Sequence, residues 1–389
     1  MSKGKVSVIG SGTMGRGIAQ IAATNSHDVI VVDTSEKALQ VAKSELEKVF
    51  ARLVEKGKVS PDDSKAILSR IAWESDLKRV KGSTLVIEAV VENLEVKRML
   101  MRDIESTVAP DSLLASNTSS LSIASIASAC ENPERVLGLH FFNPAPLLPL
   151  VEVIPGITSG GQYLSRAVQL MKSWGKAPVE AKDTPGFIVN RVARPFYGES
   201  LRILEEGVAD CATIDWALKE IGKFRMGPFE LMDLIGNDIN LKVTETVFEA
   251  FFFDPRFRPS FVQKRMVEAG LFGRKSGRGY YDYREGAAVL EPNADTALGQ
   301  KILERVLAML INEAIDAVFM NITTPEGVDL AMTKGVNYPK GLLRWGEEWG
   351  LGEVLSHLES LQEEYGEDRY RPNPLLRRYV REGRRSFFQ

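Results

Sequence analysis

The sequence predicts an α/β fold, a doubly wound and mostly parallel sheet, followed by an all-α C-terminal part. Three observations carry this. Short runs rich in Val, Ile and Leu alternate with helical patterns through the first half, "DTPGFIVNR" interrupts the chain near Asp183, and no valine-rich series follows. "KVSVIG", "DVIVVD", "STLVIEAV", "LLASN", "RVLGLHF", "LVEVIP" and "APVEAKD" read as strands. Many are apolar on both faces, as strands covered by helices on both sides must be. Helices are expected over about 13–25, 36–57, 93–109 and 161–175, and strand–helix alternation implies parallel crossovers. Pro185-Gly186 is a breaker pair. The expected domains are 1–184, then two helical segments, 185–290 and 296–389.

The helical half suggests an internal repeat. "TIDWALKEIGKFRMGPFELMDLIG" (213–236) lies over "GVDLAMTKGVNYPKGLLRWGEEWG" (327–350) without a gap. Asp215 falls on Asp329, Gly227 on Gly341 and Gly236 on Gly350. Because two glycines and an acid keep step, duplication is preferred over chance similarity of amphipathic helices.

The 389 residues, 44% hydrophobic, suffice for more than one core. A net charge of −3 gives no support to nucleic-acid binding. Cys130 and Cys211 offer no metal-ligand spacing and no disulfide framework, so a reduced, cytoplasmic setting is expected. No apolar run approaches the length of a membrane span or signal segment.

"VIGSGTMGRG" places Gly10, Gly12 and Gly15 between an apolar strand and a helix. In that setting G-x-G-x-x-G is a dinucleotide fingerprint, so the α/β domain reads as Rossmann-type. Gly10 permits the tight turn, Gly12 the approach of a pyrophosphate, and Gly15 close helix–strand packing. Thr13 and Met14 open the helix whose N–H groups face the phosphates. Asp33 ends the second strand, 23 residues after Gly10, where a carboxylate accepts from a ribose 2′-hydroxyl. No arginine directly follows it, which favours NAD over NADP; FAD uses the same fingerprint and stays open at this point.

Ligands of such sheets bind beyond the carboxyl ends of the strands. Glu88, Glu92, Asn117 to Ser120, His140 and Asn143 fall there. Oxidation of an alcohol requires a base, and an imidazole, titrating near about 6.5, suits. Of the three histidines, His27 precedes the second strand and is expected at the opposite edge of the sheet, and His357 is expected to be solvated on a polar helix. His140 remains. Glu152 sits within the apolar "PLVEVIP", where an unpaired carboxylate would be costly; it either pairs with His140 or faces solvent on an edge strand.

Taken together, "GSGTMGRGIAQ", "IEAVVENLEVK", "ASNTSSL", "GLHFFNPAP", "LVEVIPG" and "DTPGFIVNR" closely resemble the L-3-hydroxyacyl-CoA dehydrogenases, with the tail resembling members that carry two C-terminal domains. The resemblance covers 1–288 and implies an NAD-dependent oxidoreductase acting on acyl-CoA. It implies His140 as general base and acid and Glu152 as its dyad partner. Ser119 would contact the substrate's 3-oxygen and Asn190 the same region of the substrate; Ser119 also fits an N-cap. Glu92, Lys97 and Asn117 would lie along the nicotinamide side, and Asn143 beside cofactor, substrate or dyad. Arg52, Lys56 and Lys58 could meet CoA phosphates, Lys56 being the best positional match. The second copy lacks an Asn190 equivalent; it would pack on the first as an internal pseudo-dimer, with an ordinary homodimer as the other arrangement. Rivals are another two-domain dehydrogenase, acting on a β-hydroxyacid or nucleotide sugar, and a crystallin-like protein without chemistry.

Overall fold

The computed structural model describes residues 4–388 and divides into two compact units, Met1–Thr184 and Pro185–Gln389. In the first unit, β1 (Lys5–Ile9), β2 (Asp28–Val32), β3 (Ile71–Glu74), β4 (Leu85–Glu88), β5 (Leu113–Ser116), β6 (Val136–Phe141), β7 (Leu150–Pro155) and β8 (Ala177–Glu180) form one sheet. The order is β3-β2-β1-β4-β5-β6-β7-β8. All neighbours are parallel except β6 and β7, which are antiparallel. Strand order reverses between β1 and β4, the topological switch point at which such sheets bind ligands.

Helices α1 (Thr13–Thr24), α2 (Glu36–Glu55), α3 (Pro61–Ser69), α4 (Leu94–Thr107), α5 (Ile123–Ala127) and α6 (Gly161–Ser173) accompany the sheet. Each starts where the sequence supplies a reason. Ser35, Ser60, Asn93 and Ser122 accept backbone N–H groups at the heads of α2 to α5. Gly12 precedes α1 and no side chain caps it. The strands bury Val6, Val8, Val29, Val31, Leu85 and Ile87 in one cluster and Ile9, Val32, Val86 and Leu114 in another, so apolar residues line both faces.

The second unit is helical: α7 (Val189–Val192), α8 (Arg194–Glu205), α9 (Cys211–Trp216), α10 (Pro228–Ile235), α11 (Asn237–Ala250), α12 (Phe261–Glu268), α13 (Thr296–Phe319), α14 (Pro325–Gly335), α15 (Leu342–Trp349), α16 (Leu351–Tyr365) and α17 (Pro374–Arg381). Its central element is α13, buried along most of its length and packed against α8, α15 and α16. The residues of α13 are mostly apolar, as a helix in a core requires, and its buried charges Arg305 and Glu313 lie within 4 Å of opposite charges.

The residues that keep step between 213–236 and 327–350 do the same work in each place. Asp215 accepts the N–H groups of Phe229 and Glu230, both at 2.9 Å, and Asp329 accepts those of Leu343 (2.8 Å) and Arg344 (3.2 Å). These acids cap the first turns of α10 and α15. A Cβ on Gly227 would lie 2.3 Å from the Asp215 carboxyl carbon, and one on Gly341 2.2 Å from that of Asp329. Gly236 and Gly350 turn the chain at φ 102° and 100°, a region open to glycine and costly to other residues.

Of the two other histidines, His27 lies away from the carboxyl ends of the strands, as expected, and His357 departs from expectation. His27 is buried at the amino end of the sheet: Nδ1 meets Gly4 O at 3.1 Å and Trp174 Nε1–H donates to Nε2 at 3.0 Å. Because that indole can only donate, Nε2 accepts and the ring is neutral. His357 is half-buried beside Trp349, and burial lowers its pKa. The polar sequence around His357 hid this, since one helix face packs inward.

Candidate active site

The switch point is built from glycines. Gly10 adopts φ 98°, and a Cβ there would come within 2.6 Å of Ala89 O just past β4. A Cβ on Gly15 would sit 1.8 Å from Gly10 O, so only glycine lets α1 start this close to β1. At Gly12 the Cβ position meets nothing within 4 Å. The loop is closed behind and open in front, and the uncapped start of α1, with Thr13 exposed and Met14 half-buried, borders the opening. This arrangement fits a dinucleotide pyrophosphate. Asp33 follows β2. Its Oδ2 accepts from Ser11 N and Ser11 Oγ, both at 2.8 Å, and its Oδ1 from Ser35 N at 3.0 Å. Partial burial pushes its pKa up, but these donors outweigh it and hold the group below the usual carboxylate range.

His140 and Glu152 stand directly opposite each other in the antiparallel β6–β7 ladder. Their side chains meet at 2.6 Å, Nδ1 to Oε2, with residue exposures of 6% and 0%. An ionised carboxylate only accepts, so Nδ1 carries the hydrogen and Nε2 is the basic nitrogen. The ring also lies against Phe142, centroids 4.4 Å apart. The loop behind β6 contains the cis peptide Asn143–Pro144, with Asn143 exposed. Lys176 Nζ holds that loop through Ala145 O (2.6 Å) and Leu148 O (2.9 Å). Burial lowers the Lys176 pKa to about 8.

Asn117, past the end of β5, accepts Phe141 N–H through Oδ1 at 2.9 Å and so ties the ends of β5 and β6 together. Next along the chain, the "NTSS" loop converges on Glu92. One oxygen, Oε1, accepts Thr118 Oγ1 (2.5 Å), Ser119 N (3.0 Å), Ser120 N (3.2 Å) and Ser120 Oγ (3.0 Å), with Ser119 Oγ at 3.4 Å. The other oxygen lies 3.4 Å from Lys97 Nζ. Lys97 is 1% exposed, with its ammonium on both Glu88 oxygens at 2.9 Å. Burial pushes the Glu92 pKa up, but Thr118, Lys97 and the serine donors outweigh it, leaving a group below the usual range.

The structure thus brings Glu92, Lys97, Asn117, Ser119, His140 and Glu152 onto the carboxyl ends of β4 to β6 and the facing start of β7. Asn190, half-buried, lies on α7 of the second unit. Lys56 closes α2 and is exposed, as are Arg52 and Lys58. Three contributors carried no assigned role: Glu88, which neutralises Lys97; Thr118, which shares the Glu92 anchor; and Lys176. Glu88 had a visible signal, a carboxylate closing the apolar strand "LVIE". Lys176 had none.

The family model for the NAD-binding domain of 3-hydroxyacyl-CoA dehydrogenase matches residues 5–184, and that for the C-terminal domain matches 186–283 and again 302–386. The chain belongs to the 3-hydroxyacyl-CoA dehydrogenase family. Among curated relatives, the 3-hydroxyadipyl-CoA dehydrogenase of Escherichia coli K12 is 39% identical, covering 96% of this chain and 96% of that one. The pig mitochondrial hydroxyacyl-coenzyme A dehydrogenase is 41% identical over 72% of this chain and 91% of its own length. A crystal structure of 3-hydroxybutyryl-CoA dehydrogenase from Escherichia coli K12 superimposes with a TM-score of 0.92 at 37% identity, covering 98% and 99% of the two chains. NAD is the cofactor of this family of dehydrogenases, and the alternatives of FAD or a silent structural relative are not favoured. Among the described residues, no helix is long and apolar enough to cross a membrane, and no cluster of metal-ligating side chains occurs.

Proposed function

We propose that the protein catalyses the reversible, NAD-dependent oxidation of (S)-3-hydroxyacyl-CoA to 3-oxoacyl-CoA, in fatty-acid β-oxidation or butanoyl-CoA metabolism in the cytoplasm. The observation that carries this reading is the buried His140–Glu152 pair, set by cross-strand register at the carboxyl ends of the sheet. NAD, when bound, supplies the hydride acceptor. Gly10, Gly12, Thr13, Met14 and Gly15 hold its pyrophosphate and Asp33 its ribose hydroxyls; Asn117 and Asn143 line the nicotinamide side.

His140 Nε2 takes the 3-hydroxyl proton during oxidation and returns it during reduction. Glu152 holds the ring in one tautomer and offsets the imidazolium charge as it forms, in a place where water cannot. Ser119 donates to the 3-oxygen, and Asn190 is a substrate-binding residue of the second unit. Glu92, backed by Lys97, fixes the loop that carries Ser119. Lys56 meets a CoA phosphate.

Relatives are named for 3-hydroxyadipyl and 3-hydroxybutyryl substrates, so the decisive experiment compares the two thioesters with NAD and NADP by initial rate. NADH formation with at least one, and a preference for NAD of tenfold or more, is expected on the order of about 1.4 kcal/mol of discrimination at Asp33. An enzyme that reduces NAD with neither thioester would overturn the reading.

A second, non-catalytic copy of the helical domain packs on the first as a pseudo-dimer. Arg191 and Arg305 are 114 positions apart (305 − 191), as are Glu199 and Glu313 (313 − 199). Arg305 Nε binds Glu199 at 2.6 Å, Arg191 Nε faces Glu313 at 3.9 Å, and Arg191 also pairs with Asp316. Each arginine thus reaches the other segment's glutamate, the reciprocal pattern of an isologous contact. At the Asn190 position the second segment carries Glu304. Light scattering should find no dimer built through α8 and α13; a dimer using that face would contradict the pseudo-dimer.

A further inference from the structure

Five arginines are buried in the described residues: Arg135, Arg191, Arg194, Arg305 and Arg369. Four lie within 4 Å of a carboxylate. Arg194, 7% exposed, does not. Its Nη1 donates to Thr244 Oγ1 at 3.2 Å, its guanidinium carbon lies 4.9 Å from the Tyr197 ring centroid, and no protein group accepts from its Nε. A buried charge without a counter-ion is costly, and burial lowers the Arg194 pKa accordingly.

Arg194 borders a cavity of about 20 Å³, lined also by Arg256, Arg258, Arg369, Glu199 and Thr244. The one carboxylate on this wall is committed: Glu199 accepts from Arg305 Nε and Tyr370 OH, both at 2.6 Å, and faces Arg369 at 3.5 Å. The Thr244 hydroxyl donates to Asn240 O at 3.0 Å and adds no counter-charge. Nor does the reciprocal packing of the two segments require Arg194: the position 114 residues on is Ala308.

We propose that this cavity binds one halide ion, of chloride size, which serves as the counter-ion of Arg194. Size decides the class. A cavity needs roughly 10–15 Å³ to hold one water-sized particle, so 20 Å³ has room for one small ion. Arg194 and Thr244 come from the segment before residue 290 and Arg369 from the segment after 296, so the anion binds both and stabilises their association.

The experiment is thermal unfolding of the full chain in sodium chloride, bromide, formate and gluconate at one ionic strength. Chloride and bromide are expected to raise Tm saturably by about 2–4 °C over gluconate, which is too large to enter. R194M should lose the chloride-specific increment whatever its own Tm, while R194K, which keeps the charge, should retain part of it. In crystals grown with bromide, anomalous scattering should place one ion beside Arg194. A formate increment equal to that of chloride would assign the site to carboxylates and overturn the halide proposal. Equal Tm in chloride and gluconate, a full chloride increment in R194M, or no bromide peak beside Arg194 would each overturn it as well.

Discussion

Replacement of Glu152 separates the dyad's electrostatic contribution from its geometric one. Glu152 is fully buried and opposes His140 on one side and Val179 of β8 on the other. In E152Q an amide oxygen can still accept Nδ1–H at the present 2.6 Å contact, but the negative charge is lost. A hydrogen bond to a charged group is worth about 1.5–3 kcal/mol and a neutral one about 0.5–1.5, so the deficit is about 1–2 kcal/mol, a factor of about 5–30 in kcat. In E152L the imidazolium forms in a buried place with no counter-charge, costing about 3–5 kcal/mol and roughly 150- to 5,000-fold in kcat. The assay is steady-state NADH formation from 3-hydroxybutyryl-CoA, with the NAD Kd measured separately and expected to stay within threefold. If E152L kept kcat within threefold of the parent, or if E152Q and E152L were equally impaired, the assigned role of Glu152 would be wrong.

Three further outcomes are expected. E92A leaves Lys97 on both Glu88 oxygens but removes the shared acceptor of the Thr118–Ser120 loop; kcat should fall about 10- to 100-fold with little change in NAD Kd, and a loss confined to NAD binding would make Glu92 a cofactor contact instead. Lys176 keeps its proton to about 10.5 when unfolded but to about 8 when folded, so between those pH values the unfolded chain binds more protons and stability rises with pH; this slope, of order 1 kcal/mol after solvent screening, should be missing from urea unfolding of K176M. R305L breaks a buried pair and leaves Glu199 short of its main partner; Tm should drop by about 6–20 °C, with kcat/KM at moderate temperature within threefold of the parent.

The sheet was legible because its strands are apolar on both faces and its first turn carries three spaced glycines. β3 and α3 went unpredicted: "IAWE" is short and alternates too weakly, and the Ser60 cap before Pro61 is a local signal within a charged stretch. The dyad was legible only as a choice, since "PLVEVIP" cannot say whether β7 lies at an edge. Antiparallel pairing with β6 and parallel pairing with β8 put Glu152 inside. Glu92 and Lys97 lie near the strand ends, but nothing in "VVENLEVK" indicates that one carboxylate oxygen gathers a whole loop. Such convergence depends on four chain segments meeting at the strand ends. Gly227 and Gly341, which keep step in the helical half, acquire a cause only in three dimensions, where a Cβ would collide with the acid 12 residues earlier.

His140 is the group proposed to move the substrate's proton. The most direct test of this role is acetoacetyl-CoA reduction by H140Q, with NADH binding measured on the same preparation. The predicted kcat is lower by about 100- to 10,000-fold, with NADH affinity and Tm close to those of the parent. A variant that binds NADH normally and retains kcat within tenfold would contradict it.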